Sequence, residues 1–107
     1  MKRHRKATGI VLAVLLTGAQ ASAFANSALA SKYGCLGCHA AATKLVGPAY
    51  QDVAAKYSGD KGAVEILMKS IRNGGTGKWG DMGMPPQAQV SEADLKRLAT
   101  WILGGAR

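Results

Sequence analysis

Acidic, sulfhydryl and imidazole side chains are all scarce in this chain, with six Asp and Glu, two Cys and two His among 107 residues. That scarcity excludes several chemistries. No Ser/His/Asp set, no paired carboxylates and no phosphate-binding loop is present, so hydrolysis and phosphoryl transfer have no residues to carry them. A structural zinc site takes four ligands, and no second Cys/His pair accompanies Cys35, Cys38 and His39, the one other histidine being His4 near the N-terminus. A disulfide between Cys35 and Cys38 would close a tiny loop and remove little unfolded-state entropy. Strand-like alternation is missing too, and with it the βαβ setting of a thioredoxin-type redox pair. The longest apolar run, Ile10–Leu16, falls short of the roughly 20 residues of a membrane span.

What is present begins with a basic leader. Lys2, Arg3, Arg5 and Lys6 precede the apolar run, and Ala23-Phe24-Ala25 places small residues where a signal peptidase reads them. This order predicts a cleaved secretory signal peptide over 1–25, with a cut after Ala25 or, as runner-up, after Ala23. An uncleaved membrane anchor is the competing reading, which the short run and the polar Gly18, Gln20 and Ser22 disfavour. The expected mature domain is 26–107, exported to the periplasm and free of the membrane. The formal charge of +8 falls to +4 there, because four of the fourteen basic residues and no acidic one leave with the leader. No Lys/Arg stripe interleaved with aromatics remains, so nucleic acid is excluded as a partner. A mild positive charge suits docking on an acidic protein surface.

A domain this small has a marginal core and usually needs a bound group or a staple. Its pattern predicts an all-α fold of four helices. Asn26–Tyr33 is Ala-rich and stops at Gly34. Gly47-Pro48 opens a second helix, with Pro48 in its first turn and an apolar stripe of Tyr50, Val53, Ala54 and Tyr57. The third runs from about Lys61 to Asn73 on Val64, Leu67, Met68 and Ile71. The fourth follows Ser91, which with Asp94 resembles a capping box; Val90 and Leu95 suit a hydrophobic staple, and Leu95, Leu98, Ala99 and Ile102 form its buried stripe. Trp101 reads as packing. Between helices three and four lies a Gly/Pro-rich loop, Gly74–Gln89, long enough to be functional.

Cys35-Leu36-Gly37-Cys38-His39 is C-x-x-C-H, the attachment sequence for c-type haem. Two thiols about one turn apart reach the two vinyl groups of one porphyrin and form thioethers. His39, directly after, is placed as the proximal iron ligand. One haem c is thus the expected cofactor. A Met on the other side would close the iron as an electron-transfer centre. Met68 belongs to a helical apolar stripe and reads as core, which leaves Met82 and Met84 in the loop. The prolines Pro85-Pro86 stiffen the chain after Met84 and favour it as the distal ligand.

Taken together, Gly34-Cys35-x-x-Cys38-His39, Lys44-x-Val46-Gly47-Pro48-Ala49-Tyr50, Asp52-Val53-Ala54-Ala55-Lys56, Asn73-Gly74, Trp79-Gly80 and Met84-Pro85-Pro86 resemble the small bacterial class I cytochromes c of the five-five-one type, the cytochrome c eight group. The likeness covers nearly all of 29–103. It implies the class I cytochrome c fold, about four helices around one covalently bound haem, with Met84 as distal ligand. It further implies that the Pro48 carbonyl accepts the ring N–H of His39, and that Trp79, and with it Arg72, hydrogen-bonds a haem propionate. Two departures stand out. Gln87 occupies a place where relatives commonly carry an Asn aimed at the ligand sulfur, and Ser70 one where they can carry Arg; Arg72 lies two residues on, on another helical face.

The expected function is a one-electron carrier and not an enzyme, since filling both axial positions denies substrate the iron. The resemblance implies a donor at the level of a quinol-oxidising cytochrome complex and an acceptor such as a terminal oxidase or a haem-cd nitrite reductase. A monomer meeting redox partners in transient contacts follows from that role, with Lys32, Lys44, Arg72 and Lys78 as candidate steering charges. The alternatives are a peroxidase-like haem protein with a displaceable distal Met and a thiol–disulfide protein without haem.

Overall fold

The computed structural model describes Gly9 and residues 18–107. The leader's basic and apolar stretch, Lys2–Leu16, lies outside the described residues apart from Gly9, which carries no regular structure. Four α-helices follow in order: α1 Gly18–Lys32, α2 Tyr50–Lys56, α3 Ala63–Asn73 and α4 Glu92–Leu103, with a single 3-10 turn, Cys35–Gly37, after α1. Among the described residues there is no strand, only one isolated antiparallel bridge between Gly75 and Met84. The all-α expectation holds.

Three boundaries differ from the sequence reading, each for a local reason. Among the described residues helix α1 extends back to Gly18 and does not begin at Asn26, because no Pro or Gly interrupts the Ala-rich run between Gly18 and Gly34. It ends where Gly34 turns left-handed at φ 77° and its N–H reaches the Ser31 carbonyl. Pro48 does not sit in the first turn of α2. The N-cap is Ala49, extended at ψ 141°, and the free N–H groups of Tyr50 and Gln51 donate to the carbonyls of Ala40 and Ala41. Those two bonds satisfy orphan donors of the helix start and leave the Pro48 carbonyl outside the helical ladder. Helix α3 begins at Ala63, two residues late, because the Asp60 carboxylate accepts the Gly62 N–H at 2.8 Å and holds Lys61 in a turn.

Helix α4 is the hub, packing on α1, α2 and α3. Leu95, Leu98 and Ala99 are nearly sealed, and Trp101 and Ile102 join them. A fully buried Leu stabilises the fold by about 1.5–3 kcal/mol relative to exposure. Ala30 of α1, with no exposed surface, lets that helix approach α4 closely. The start of α4 is capped as expected on one side: Ser91 Oγ accepts the Asp94 N–H at 3.2 Å, and Val90 and Leu95 are both buried. The other half of the capping box is absent. The Asp94 carboxylate instead accepts the Tyr33 hydroxyl at 2.6 Å, tying the end of α1 to the start of α4.

Candidate functional site

The 3-10 turn carries Cys35 and releases the chain at Cys38, so that His39 turns inward, half-buried. Its Nδ1 lies 2.8 Å from the Pro48 carbonyl oxygen. A carbonyl only accepts, so Nδ1 holds the proton and Nε2 keeps its lone pair, the tautomer a metal ligand needs. The ring is further fixed by Tyr50, stacked at 5.0 Å between centroids and 15° between planes. Gly47 closes the other approach: a Cβ there would overlap the imidazole, coming within 2.8 Å of Nδ1 and 2.9 Å of Nε2. Only a glycine lets the backbone lie this close to the ring. Tyr50 in turn meets Trp101 edge-on at 5.4 Å, which links the imidazole to α4.

The second wall comes from the loop between α3 and α4. Met84 is held by its backbone on both sides, its N–H donating to the Gly75 carbonyl at 2.8 Å and its carbonyl accepting from Gly75 at 3.0 Å. Gly74 makes this possible. At φ 65°, ψ −162° it occupies a region essentially reserved for glycine, and a Cβ there would strike the Met84 carbonyl and the Pro86 nitrogen. Met84 is partly buried against the core, whereas Met82 is 68% exposed.

Both walls face one cavity of about 310 Å³, lined by Cys35, Cys38, His39 and Pro48 on the first and by Trp79, Met82 and Met84 on the second. Apolar side chains of three helices, Val53, Leu67 and Leu98 among them, complete it. Cys35 and Cys38 are not bonded to each other. Burial pushes the Cys35 thiol above its ordinary value, and burial with the neighbouring Cys35 pushes the Tyr50 phenol well above 10, so both stay protonated near neutral pH. The donor set is two thiols, one imidazole in the ligating tautomer and a thioether, around an apolar hollow. That set fits a haem, and among the described residues no group of three or more His, Cys, Asp or Glu side chains is gathered to hold a bare metal ion.

Of the residues named from the sequence, Arg72 is the one the fold takes elsewhere. It does not line the cavity. Its guanidinium donates to the carbonyls of Gln87 and Ala88 at 3.2 and 2.9 Å and stands 3.9 Å from Glu92. It clamps the end of the loop, because its position on α3 turns it away from the face that carries Ser70 to the cavity. Gln87 does line the cavity, but one N–H of its Nε2 donates to the Pro85 carbonyl at 3.1 Å and its Oε1 accepts from Gln89 at 2.9 Å, both within the loop. Two residues whose part in the site the sequence did not single out are Gly47 and Tyr50. Both stood in the quoted motif, but Tyr50 also fits an ordinary apolar stripe, and nothing local shows that either touches the imidazole.

With this geometry in place, the comparisons with known proteins are direct. The cytochrome c family profile matches residues 23–106, and the chain belongs to the cytochrome c family, as a small class I member of the c-551 type. Cytochrome c-551 of Allochromatium vinosum is 53% identical over 83 residues, covering 78% of this chain and 88% of the relative. Cytochrome c-552 of Hydrogenobacter thermophilus is 50% identical over 92 residues, covering 86% and 93%. The crystal structure of Nitrosomonas europaea cytochrome c552 superposes with a TM-score of 0.70 at 48% identity, over 72% of this chain and 95% of that one. The protein is therefore a cytochrome c electron carrier with one haem c bound covalently through Cys35 and Cys38.

Proposed function

We propose that this cytochrome is a one-electron carrier whose iron is held by His39 and Met84, working in the periplasm after residues 1–25 have been removed. The observation that carries the reading is that a His fixed in its ligating tautomer and a Met pinned by two backbone bonds line the same cavity as the two cysteines. Haem c, when bound, supplies a one-electron iron couple. The polypeptide supplies the rest. The Pro48 carbonyl holds the His39 proton at Nδ1 and raises the basicity of Nε2. The bridge to Gly75 and the stiff Pro85-Pro86 hold the Met84 side chain without a large entropic cost. Val53, Leu67 and Leu98 keep water from the hollow.

With His39 and Met84 both holding the iron, no substrate would have access to it, which favours a carrier over an enzyme. The partners proposed are a quinol-oxidising cytochrome complex as donor and a terminal oxidase or haem-cd nitrite reductase as acceptor, each met in a brief contact by a monomer. Among the described residues no helix is long and apolar enough to cross a membrane.

The test is the visible spectrum of the purified holoprotein and two variants. Wild type should hold haem through acid–acetone extraction and show the Met–iron charge-transfer band in the ferric state. Met84→Ala should lose that band, drop in potential and bind cyanide or carbon monoxide, while Met82→Ala should match wild type. The reverse pattern would move the ligand to Met82. Ready binding of carbon monoxide by the wild-type protein would favour the peroxidase-like alternative.

A further inference from the structure

We infer that Lys56 is a positioning residue, whose ammonium clasps the indole of Trp79 and so pins the tip of the Met84-bearing loop against α2 at the mouth of the cavity. The Nζ of Lys56 lies 4.5 Å from the centre of the Trp79 ring and 5.9 Å from that of Tyr57, so it sits against two π faces at once. Its backbone is the last residue of α2, where a cation is favoured by the helix dipole and where the stem springs from a fixed point. Trp79 comes from a segment with little rigidity of its own. Gly77 and Gly80 both have positive φ, 85° and 118°, and the single bond from Gly77 N–H to the Gly80 carbonyl encloses Lys78 and Trp79.

The clasp matters because nothing else of polar character does the same task. Among the described residues no hydrogen bond or ion pair joins the 74–89 loop to α2. The loop is tied to α3 through Arg72 and the Gln87 N–H, which meets the Ile71 carbonyl at 3.0 Å; both ties lie at its far end, after Met84. Among the described residues the Lys56–Trp79 contact is the one polar tie from the tip before Met84 to α2, at a cavity that Val53 and Tyr57 line together with Gly77, Trp79 and Met82. A glycine-rich segment gains most conformational entropy on release, so one anchor there has a measurable effect. At an exposed site a cation–π contact of about 0.5–1 kcal/mol corresponds to an opening equilibrium changed by about 2- to 5-fold. The inference rests on the Met84 reading in one of its two measurements only.

The experiment uses the holoprotein with Lys56→Gln, Lys56→Arg and, as a control for charge alone, Lys61→Gln, which lies in the exposed turn before α3. The first measurement is hydrogen exchange of the Gly77 amide, and the second is displacement of the sixth ligand by imidazole in the ferric protein. Lys56→Gln should speed Gly77 exchange and strengthen apparent imidazole binding, each about 2- to 5-fold. Lys56→Arg should restore both, because a guanidinium keeps the charge and the ring contact, and Lys61→Gln should move neither. Unchanged exchange in Lys56→Gln, an equal effect from Lys61→Gln, or an Arg variant that behaves like Gln would each overturn the clasp. A wild-type spectrum without the Met–iron band would instead sink Met84 as ligand, and the Gly77 exchange would still decide the role of Lys56.

Discussion

The two walls of the cavity are built by different means. On the His39 side, sixteen consecutive positions from Cys35 to Tyr50 supply both cysteines, the imidazole, its carbonyl partner, the glycine beneath the ring and the aromatic stacked on it. The contacts act on the side chain itself. On the Met84 side the loop is longer, rich in Gly and Pro, and what is fixed is the backbone: a two-bond bridge to Gly75, a guanidinium from α3 and an ammonium from α2. Among the described residues no side chain hydrogen-bonds the thioether; Gln87 gives one amide N–H to Pro85 and its oxygen to Gln89. The difference teaches that one proposed ligand is fixed at its ring by near neighbours in the chain, and the other through its backbone with help from distant elements. The His39 wall should therefore tolerate disturbance of the rest of the fold better than the Met84 wall does.

The strongest challenge to that contrast is to remove the bound group from both walls at once. With Cys35 and Cys38 changed to Ala, the hollow between the walls has nothing covalent to fill it, and a domain this small has little core to spare. The variant is expected to be largely disordered and rapidly cut by protease. Cooperative thermal melting of such a protein by circular dichroism would show that the helices do not need the haem.

Next in size come the two glycines, one per wall. Gly74→Ala forces a side chain into a glycine-only conformation and into the backbone at Met84 and Pro86, neither of which can yield. It should cost about 3 kcal/mol or more by denaturant titration and weaken the Met–iron band. Gly47→Ala meets the His39 ring first, and should cost about 1–3 kcal/mol while leaving the Met84 loop in place. Equal losses of the Met–iron band in the two variants would break the claim that the walls are fixed separately.

A smaller effect is expected at the loop clamp. Arg72→Gln removes two bonds to loop carbonyls from a side chain that is 32% exposed, and should cost about 1 kcal/mol. Glu92→Gln should cost almost nothing, because that carboxylate is 85% exposed and 3.9 Å away. If Arg72→Gln left stability unchanged but altered the pH dependence of the potential, the side chain would belong to a propionate after all.

The least effect is expected at the Tyr33–Asp94 bond, which ties the end of α1 to the start of α4. The Tyr33 hydroxyl holds the Asp94 carboxyl below its ordinary value of 3.8, and the same bond raises the Tyr33 phenol above 10.0. For Asp94 the stabilisation is present above the unfolded value and lost as pH falls through the lower folded one. For Tyr33 it is present below the unfolded value and lost as pH rises through the higher folded one. Tyr33→Phe should lower Tm slightly at pH 7, with the gap from wild type closing toward pH 2–3. A gap that persists there would mean that the hydroxyl contributes through something other than the ionised Asp94.

What the sequence determined by itself was everything that depends on neighbours in the chain. The C-x-x-C-H spacing fixed the haem class, the 3.6-residue stripes of Val64–Ile71 and Leu95–Ile102 marked α3 and α4, and Gly34, Gly74 and Gly104 marked their ends or that of α1. Ser91 announced its own cap, since that bond spans three residues. The tertiary structure alone decided where long side chains end and which distant groups meet. Pro48 was legible as a helix opener, yet its place before the N-cap follows from the Ala40 and Ala41 carbonyls accepting the first helical N–H groups. Arg72 and Lys56 have flexible stems that can reach many places, and packing of α2 and α3 around the loop sends one to the Gln87 and Ala88 carbonyls and the other to Trp79. A local period fixes the direction in which a side chain leaves its helix. What waits at the far end of a long one is set only when the other elements have packed.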